Sequence, residues 1–452
     1  MIYQKINEHL GKDIYPFHTP GHKRNPDYVV GNLYNMDLTE ISGLDNLHNP
    51  KGAIAKTQEL LAKIYHADES FILVNGSSCG IIAAICAVCG ENETIIMPRN
   101  SHISAFHGLV FSGAKPIYYY PKIKPEGYFC AVEPFAIEKM IRNNPSAKAV
   151  LAVSPTYEGF VSDIKKILEI CCKYEKILIV DEAHGAHFPF YEGFPKSASH
   201  CGADIVINSL HKTLPTMTQS AVLHVNGKTM DRQRLKYFLG SVQTTSPSYI
   251  FMGVVDEALR RLYNNKSLFD NYLNLLRAAR KNLTNNMNIR LINTDDPGKL
   301  LFALPDKIQG GEVEEILMKE YKIALEMVRP HYVLALSSVA DRAFGFARLT
   351  KGIGDLDTRI NRAVPMGNGI YTDAYDFAKT EMVCTPREAT FSFASETVRV
   401  SDSIGRVSAE FINEYPPGVP LLVPGERIHE AAALRMCRIK IQQLKVISCR
   451  SR

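Results

Sequence analysis

The chain is predicted to fold as an α/β protein with a mainly parallel sheet in a large domain, followed by a smaller α+β unit. Three observations carry this expectation. Apolar runs at residues 71–74, 94–97, 149–153, 177–180 and 204–208 have the length of buried strands. Helix-like stretches separate several of them, the alternation of a parallel sheet with crossover helices. Each run ends in a polar or glycine-rich turn.

Residues 1–50 are rich in Pro, Gly, Asn and Asp, as in Thr19-Pro20-Gly21-His22-Lys23, Asp37-Leu38-Thr39-Glu40 and Gly43-Leu44-Asp45. Such turn chemistry predicts an irregular arm. The large domain is expected over residues 51–288. Its first strand leads through Asn75-Gly76-Ser77-Ser78 into an apolar helix. Between Ser162 and Tyr174, apolar residues Ile164, Ile167, Leu168 and Cys171 share a helical face, with Ser162 placed as the cap. The runs at 177–180 and 204–208 end at Asp181 and Ser209, and residues 252–286 are largely helical in pattern. Residues 289–381 read as the α+β unit, including a helix with Val313, Ile316, Leu317 and Tyr321 on one face. A C-terminal segment, 382–452, carries Tyr415-Pro416-Pro417-Gly418 and Pro424-Gly425-Glu426, then a final helix-like stretch.

Composition narrows the function classes. With 52 Lys+Arg against 47 Asp+Glu, the net charge is +5 over 452 residues, which gives no reason to expect nucleic-acid binding. The most apolar run, 81–89, is too short to span a bilayer. No secretory signal opens the chain, so a soluble cytoplasmic protein is the expectation. Ten cysteines, mostly in apolar stretches, read as reduced thiols. Cys86 and Cys89 have a metal-like spacing but no second Cys/His pair, so buried structural thiols are expected. His184 and His187 lie three apart with Gly185 between them, which disfavours a helical metal site, and no metal is expected.

In a parallel α/β sheet, ligands gather at the carboxyl ends of the strands. Behind the first strand, Ser77 and Ser78 at a helix start suit an anionic group, although such a turn is often only a turn. Behind the others come His102, then Ser154-Pro155-Thr156-Tyr157-Glu158-Gly159, then Asp181 to His187, then Ser209-Leu210-His211-Lys212-Thr213. A strand-end carboxylate can be a helix cap, or it can hold a protonated pyridine nitrogen. A strand-end lysine is most often solvated, but partial burial beside other cations suits a Schiff-base lysine. Together these groups supply what pyridoxal 5'-phosphate (PLP) requires.

The motifs quoted above run in order through nearly the whole chain, and in them it resembles the group III PLP-dependent decarboxylases acting on ornithine, lysine and arginine. The resemblance implies fold type I, the aspartate aminotransferase-like architecture. It implies that Lys212 bears the cofactor, Asp181 pairs with its ring nitrogen, His102 stacks on the ring, and His184 lies beside it. Ser77, Ser78, Ser209 and His211 would hold the phosphate, with Thr156 also at the cofactor. Members of this fold are dimers or larger with shared sites, so a homo-oligomer is expected, with Thr245 and Ser246 reaching the neighbour's phosphate. Long members carry an extra domain ahead of the Thr-Pro-Gly-His-Lys motif. Here the motif starts at residue 19, as in the short form. Cys79 stands where the family carries a hydroxyl residue.

The reaction implied is loss of the α-carboxylate from a basic amino acid, arginine first and then lysine or ornithine, giving the amine and CO2. A cationic side chain needs an acidic partner. Glu426, in a Pro-Gly-rich loop, and Glu40, in the arm, are the candidates. An aminotransferase would share Lys212 and Asp181 but anchor the substrate carboxylate with an arginine, for which Arg387 and Arg399 are available. A non-catalytic PLP-binding protein is the other alternative.

Overall fold

The computed structural model describes residues 1–361, 380–414 and 418–448. The Tyr415-Pro416-Pro417 part of the C-terminal motif lies outside the described residues. The arm is less irregular than its composition suggests. It holds a helix, Ile2–Leu10, and a strand, Tyr15–Phe17 (β1), paired in parallel with Ile323–Leu325 of the smaller unit.

A seven-stranded sheet lies at the centre. Its strands are Glu69–Leu73 (β2), Thr94–Pro98 (β3), Lys115–Tyr119 (β4), Ala149–Val153 (β5), Ile177–Asp181 (β6), Ile205–Asn208 (β7) and Ala221–Val225 (β8), in the order β2-β8-β7-β6-β5-β3-β4. The pairings are parallel except those of β8, which runs against both β2 and β7. The carboxyl ends of β2, β3, β5, β6 and β7 therefore meet at one edge, and β8 begins there. Neither β4 nor β8 was foreseen from the sequence.

Side chains alternate between two covered faces, which is why these strands are continuously apolar. Leu151, Ile179, Ile205 and Ile207 pack against the helices Gly76–Val88 and Ile103–Ser112. Val150, Leu178, Val180 and Val206 pack against Ile164 and Ile167 on the other side. The Ile164–Lys173 helix buries the expected face but is capped by Asp163, whose side chain accepts from Lys166 N–H. Ser162 instead accepts from Val132 N–H through its hydroxyl. The helical stretch before residue 289 is two helices, Tyr249–Asn264 and Ser267–Leu283.

The α+β unit contains Lys299–Ala303 between Arg290–Ile292 and Tyr332–Leu336, with Met327–Arg329 outermost. Helix Gly310–Tyr321 buries Val313 and Leu317. One core joins this unit to the arm and the large domain through Phe17, Leu214, Leu273, Phe302 and Leu349. The C-terminal segment has its own small core, including Leu422, Met436 and Val446. After Pro424-Gly425-Glu426 comes the expected helix, Glu430–Arg438, followed by a strand, Gln443–Ile447, that was not foreseen.

Among the described residues, no helix is long and apolar enough to cross a membrane, and no cluster of three or more His, Cys, Asp or Glu side chains could hold a metal ion. Cys86 and Cys89 are buried, and burial pushes their thiols up to about 11 and about 12.

Candidate active site

Ser77, Ser78, His102, Thr156, Asp181, His184, Ser209, His211 and Lys212 line a single cavity of about 540 Å³ at the carboxyl edge of the sheet. Because β8 runs the other way, the residues entering it, Thr218 and Gln219, reach the same cavity. A larger hollow of about 720 Å³ lies under helix Ile2–Leu10, but its lining contains no carboxylate.

One end of the cavity is an anion cradle. Helix Gly76–Val88 starts there with no side-chain cap; Gly76 N–H donates to Gln219 O at 2.9 Å, the N–H groups that follow are available, and the helix dipole favours a negative charge. Ser209 Oγ donates to Ser77 Oγ at 2.6 Å, which ties the β7 turn to the β2 turn. Cys79 does not join the cradle. Its thiol turns back to Gly76 O at 3.0 Å, and burial pushes it up to about 12. Gly21 of the arm packs on the lysine-bearing turn and donates its N–H to His211 O at 2.7 Å. A Cβ at Gly21 would lie 2.6 Å from Leu214 O, so only glycine permits this approach.

Lys212 sits on a one-turn helix, Leu210–Thr213. Burial lowers its pKa, opposed by Asp181 and Glu326. Its Nζ lies 3.1 Å from His184 Nε2, while His184 Nδ1 lies 2.8 Å from Lys299 Nζ. Burial holds His184 neutral, and the two lysines reinforce this. A neutral imidazole has one donor and one acceptor. Lys299, whose pKa burial pulls down to about 8, is still mostly an ammonium at neutral pH and donates to Nδ1. Nε2–H then donates to Lys212, which must offer its lone pair. The chain Lys299–His184–Lys212 thus favours a free amine at Lys212.

Asp181 ends β6 and accepts from Ala183 N–H at 3.1 Å. Burial raises its pKa, partly offset by Lys212 and that N–H. A cationic ring nitrogen would restore its ionised form. His102 caps helix Ile103–Ser112, with Nδ1 accepting from Ser104 N–H at 3.2 Å, so the ring proton is on Nε2. Burial first, then Lys212, hold the ring pKa down to about 3. Neighbouring Glu182 points away from the cavity and brackets Ser197, Ala198 and Asn208. A buried amine, a carboxylate, a neutral imidazole and a hydroxyl-rich helix start are the donor set PLP needs, and the residues fit it.

Other expectations need correction. Glu426 does not line the cavity. It is fully buried, with Oε1 accepting from Arg99 Nε at 2.8 Å and Oε2 from Arg99 Nη2 at 2.9 Å and Val423 N–H at 2.9 Å. Its charge is matched by Arg99, away from the cavity that a substrate would enter. Glu40 is partly exposed in the arm and does not line the cavity either. Thr245 and Ser246 are exposed and lie outside this chain's cavity. Arg387 is held by the Val110 and Phe111 carbonyls, Arg399 is exposed on strand Ser395–Arg399, and no described residue lining the cavity is an arginine.

Three charged lining or adjacent residues were missed. Glu158 follows β5, where the sequence showed only a polar turn. Glu326 and Lys299 come from the α+β unit, where no local pattern marks them.

Residues 2–303 match the family described as Orn/Lys/Arg decarboxylase, major domain, and residues 369–443 match its C-terminal domain. An arginine decarboxylase of Halalkalibacterium halodurans is 32% identical over 450 residues, covering 95% of this chain and 91% of the relative. The arginine decarboxylase of Bacillus subtilis is 31% identical over 452 residues, covering 95% and 91%. Among solved structures, lysine decarboxylase A of Pseudomonas aeruginosa superposes with a TM-score of 0.79 at 18% identity, covering 99% of this chain and 80% of that one. A serine palmitoyltransferase of S. paucimobilis with bound PLP superposes with a TM-score of 0.59 at 14% identity, covering 77% and 88%. The architecture is that of the fold-type I PLP enzymes. The chain belongs to the Orn/Lys/Arg decarboxylase family.

Proposed function

We propose that this protein removes the α-carboxylate of a basic amino acid, arginine in preference to lysine or ornithine, using PLP attached at Lys212. The observation that carries the reading is the composition of one cavity. It combines a buried lysine, Lys212, a strand-end carboxylate, Asp181, and a hydroxyl-rich helix start with two further carboxylates, Glu158 and Glu326, and its described lining has no arginine. Extra acidic groups suit a cationic side chain. The missing arginine disfavours the aminotransferase alternative, which needs one for the substrate carboxylate.

Bound PLP supplies the electron sink for the charge left behind as CO2 departs. The chain's own residues do the rest. Asp181 would hold the ring nitrogen in its protonated form. His102, neutral with its proton on Nε2, would shield the bound cofactor from water. Lys212, held as an amine by His184, accepts and returns a proton. The names of the bacillar relatives support arginine as the first substrate.

We also propose a homo-oligomer with shared sites in the cytoplasm. Exposed Thr245 and Ser246, outside this chain's own cavity, support the first. Nine free cysteines among the described residues support the second. Mixing Lys212→Ala protein with a Thr245→Ala/Ser246→Ala variant should regenerate activity if sites are shared. For the reaction, the protein with PLP is incubated separately with arginine, lysine and ornithine. Agmatine, cadaverine or putrescine with equimolar CO2 is expected. A keto acid formed only with an added acceptor would identify an aminotransferase instead, and no turnover despite bound PLP would identify a binding protein.

A further inference from the structure

Glu158 stands on the turn after β5 and lines the cavity, yet it is 2% exposed. Its Oε1 accepts from Tyr332 O–H at 3.2 Å, the Thr156 hydroxyl and the Glu158 and Phe129 N–H groups lie against the carboxyl group, and Oε2 is buried without a partner at full hydrogen-bonding geometry. Leaving a buried carboxyl oxygen unmatched costs free energy, so such groups are rare unless a ligand completes them. Its setting is tightly built. The next residue, Gly159, has φ +104° and presses on the Lys299 side chain, where a Cβ would come within 2.6 Å of Cγ.

The other carboxylates of the cavity are occupied. Glu326 Oε2 accepts from Thr19 N–H at 2.8 Å and Oε1 from Tyr157 O–H at 2.6 Å. Asp181 faces Lys212 and accepts from Ala183 N–H. Phe129, Tyr157 and Val419 line the same cavity and supply apolar and aromatic surface for a methylene chain.

We propose that Glu158 is the side-chain subsite of this enzyme, binding the guanidinium or ammonium at the far end of a basic amino acid through Oε2. The assignment rests on the decarboxylase reading above and gives it the acidic partner that Glu426 and Glu40 do not supply. Burial raises the pKa of Glu158, and a cation seated against the carboxylate opposes that shift.

The test compares arginine with citrulline, which has the same shape without the charge. In the holoenzyme, Glu158→Gln should lower kcat/KM for arginine by roughly 10–100-fold, mainly through KM, and leave citrulline unchanged. Tyr332→Phe should keep the arginine preference, because the charge remains. Agmatine binding to the cofactor-free protein, followed by calorimetry, should be weaker in the variant than in the wild type. Equal losses for arginine and citrulline, or an unchanged ratio, would overturn the subsite while leaving the decarboxylase intact. Glu158-dependent agmatine binding without turnover of any basic amino acid would overturn the decarboxylase and leave the subsite. If Glu158→Gln does not fold, Glu158→Asp takes its place, and an arginine-to-citrulline ratio equal to that of the wild type refutes the proposal.

Discussion

Removing Glu426 should undock the C-terminal segment from the loop that carries His102. Arg99 and Glu426 are both fully buried and 327 residues apart in sequence. Arg99 also donates to Pro420 O at 2.8 Å and Leu421 O at 3.2 Å, and its guanidinium lies 5.4 Å from the Phe106 ring centroid. Close by, Ile103 N–H donates to Gly418 O at 3.0 Å. Glu426→Ala leaves a buried guanidinium without its counter-charge, which costs about 3–5 kcal/mol. That is roughly two to four powers of ten in the opening equilibrium. Hydrogen exchange reads it directly, through the amides of Ile103, Ser408 and Gly425, the last two bonded to Glu426 O and Ser408 O. Their protection should fall together. The double variant Arg99→Met/Glu426→Leu should recover most of it, since replacing both ends of a buried pair by apolar groups is often neutral or better. A loss of protection under about fivefold in Glu426→Ala, near 1 kcal/mol, would refute the latch.

Other consequences follow from the same contacts. Lys299→Met removes the donor to His184 Nδ1, so activity should fall by about tenfold. Imidazole ¹⁵N NMR should show an Nε2–H tautomer in the wild type and a mixture in the variant, and identical spectra would contradict the relay. Gly21→Ala drives a Cβ into the Leu214 backbone, so stability should drop by about 1–3 kcal/mol and PLP should bind more weakly in an absorbance titration. Burial raises Glu182 from 4.5 to about 7, so the folded state favours its protonated form. Its contribution is complete below pH 4.5 and is lost as pH rises through 7, a change of about 3 kcal/mol. Glu182→Gln should flatten the pH dependence of unfolding across that window, and an unchanged slope would count against the assignment.

The cofactor end of the site was readable because its residues follow strands whose apolar runs are local signals. Ser77, His102, Asp181 and Lys212 each come within a few residues of such a run, and topology alone gathers strand ends at one edge. β8 escaped notice because it is a short run close behind the lysine turn, with no helix between to mark it as a separate strand. The substrate end depends on contacts with no local signature. Glu426 sits in a Pro-Gly turn that resembles a pocket loop, and only the burial of Arg99 beside it shows otherwise. Glu326 and Lys299 reach the site from the α+β unit, and burial of a lysine at the start of a strand cannot be read from its neighbours. The polar turn at Glu158 becomes specific only when its place in the cavity lining and its unpartnered Oε2 are seen together.

The most direct test of the central claim is to reduce the PLP-loaded protein with borohydride and map the pyridoxyl group by peptide mass spectrometry. The label should fall on Lys212 in the wild type and disappear in Lys212→Ala, together with all release of CO2 from carboxyl-labelled arginine. Label on Lys299 or another lysine, or CO2 release surviving in Lys212→Ala, would contradict the account.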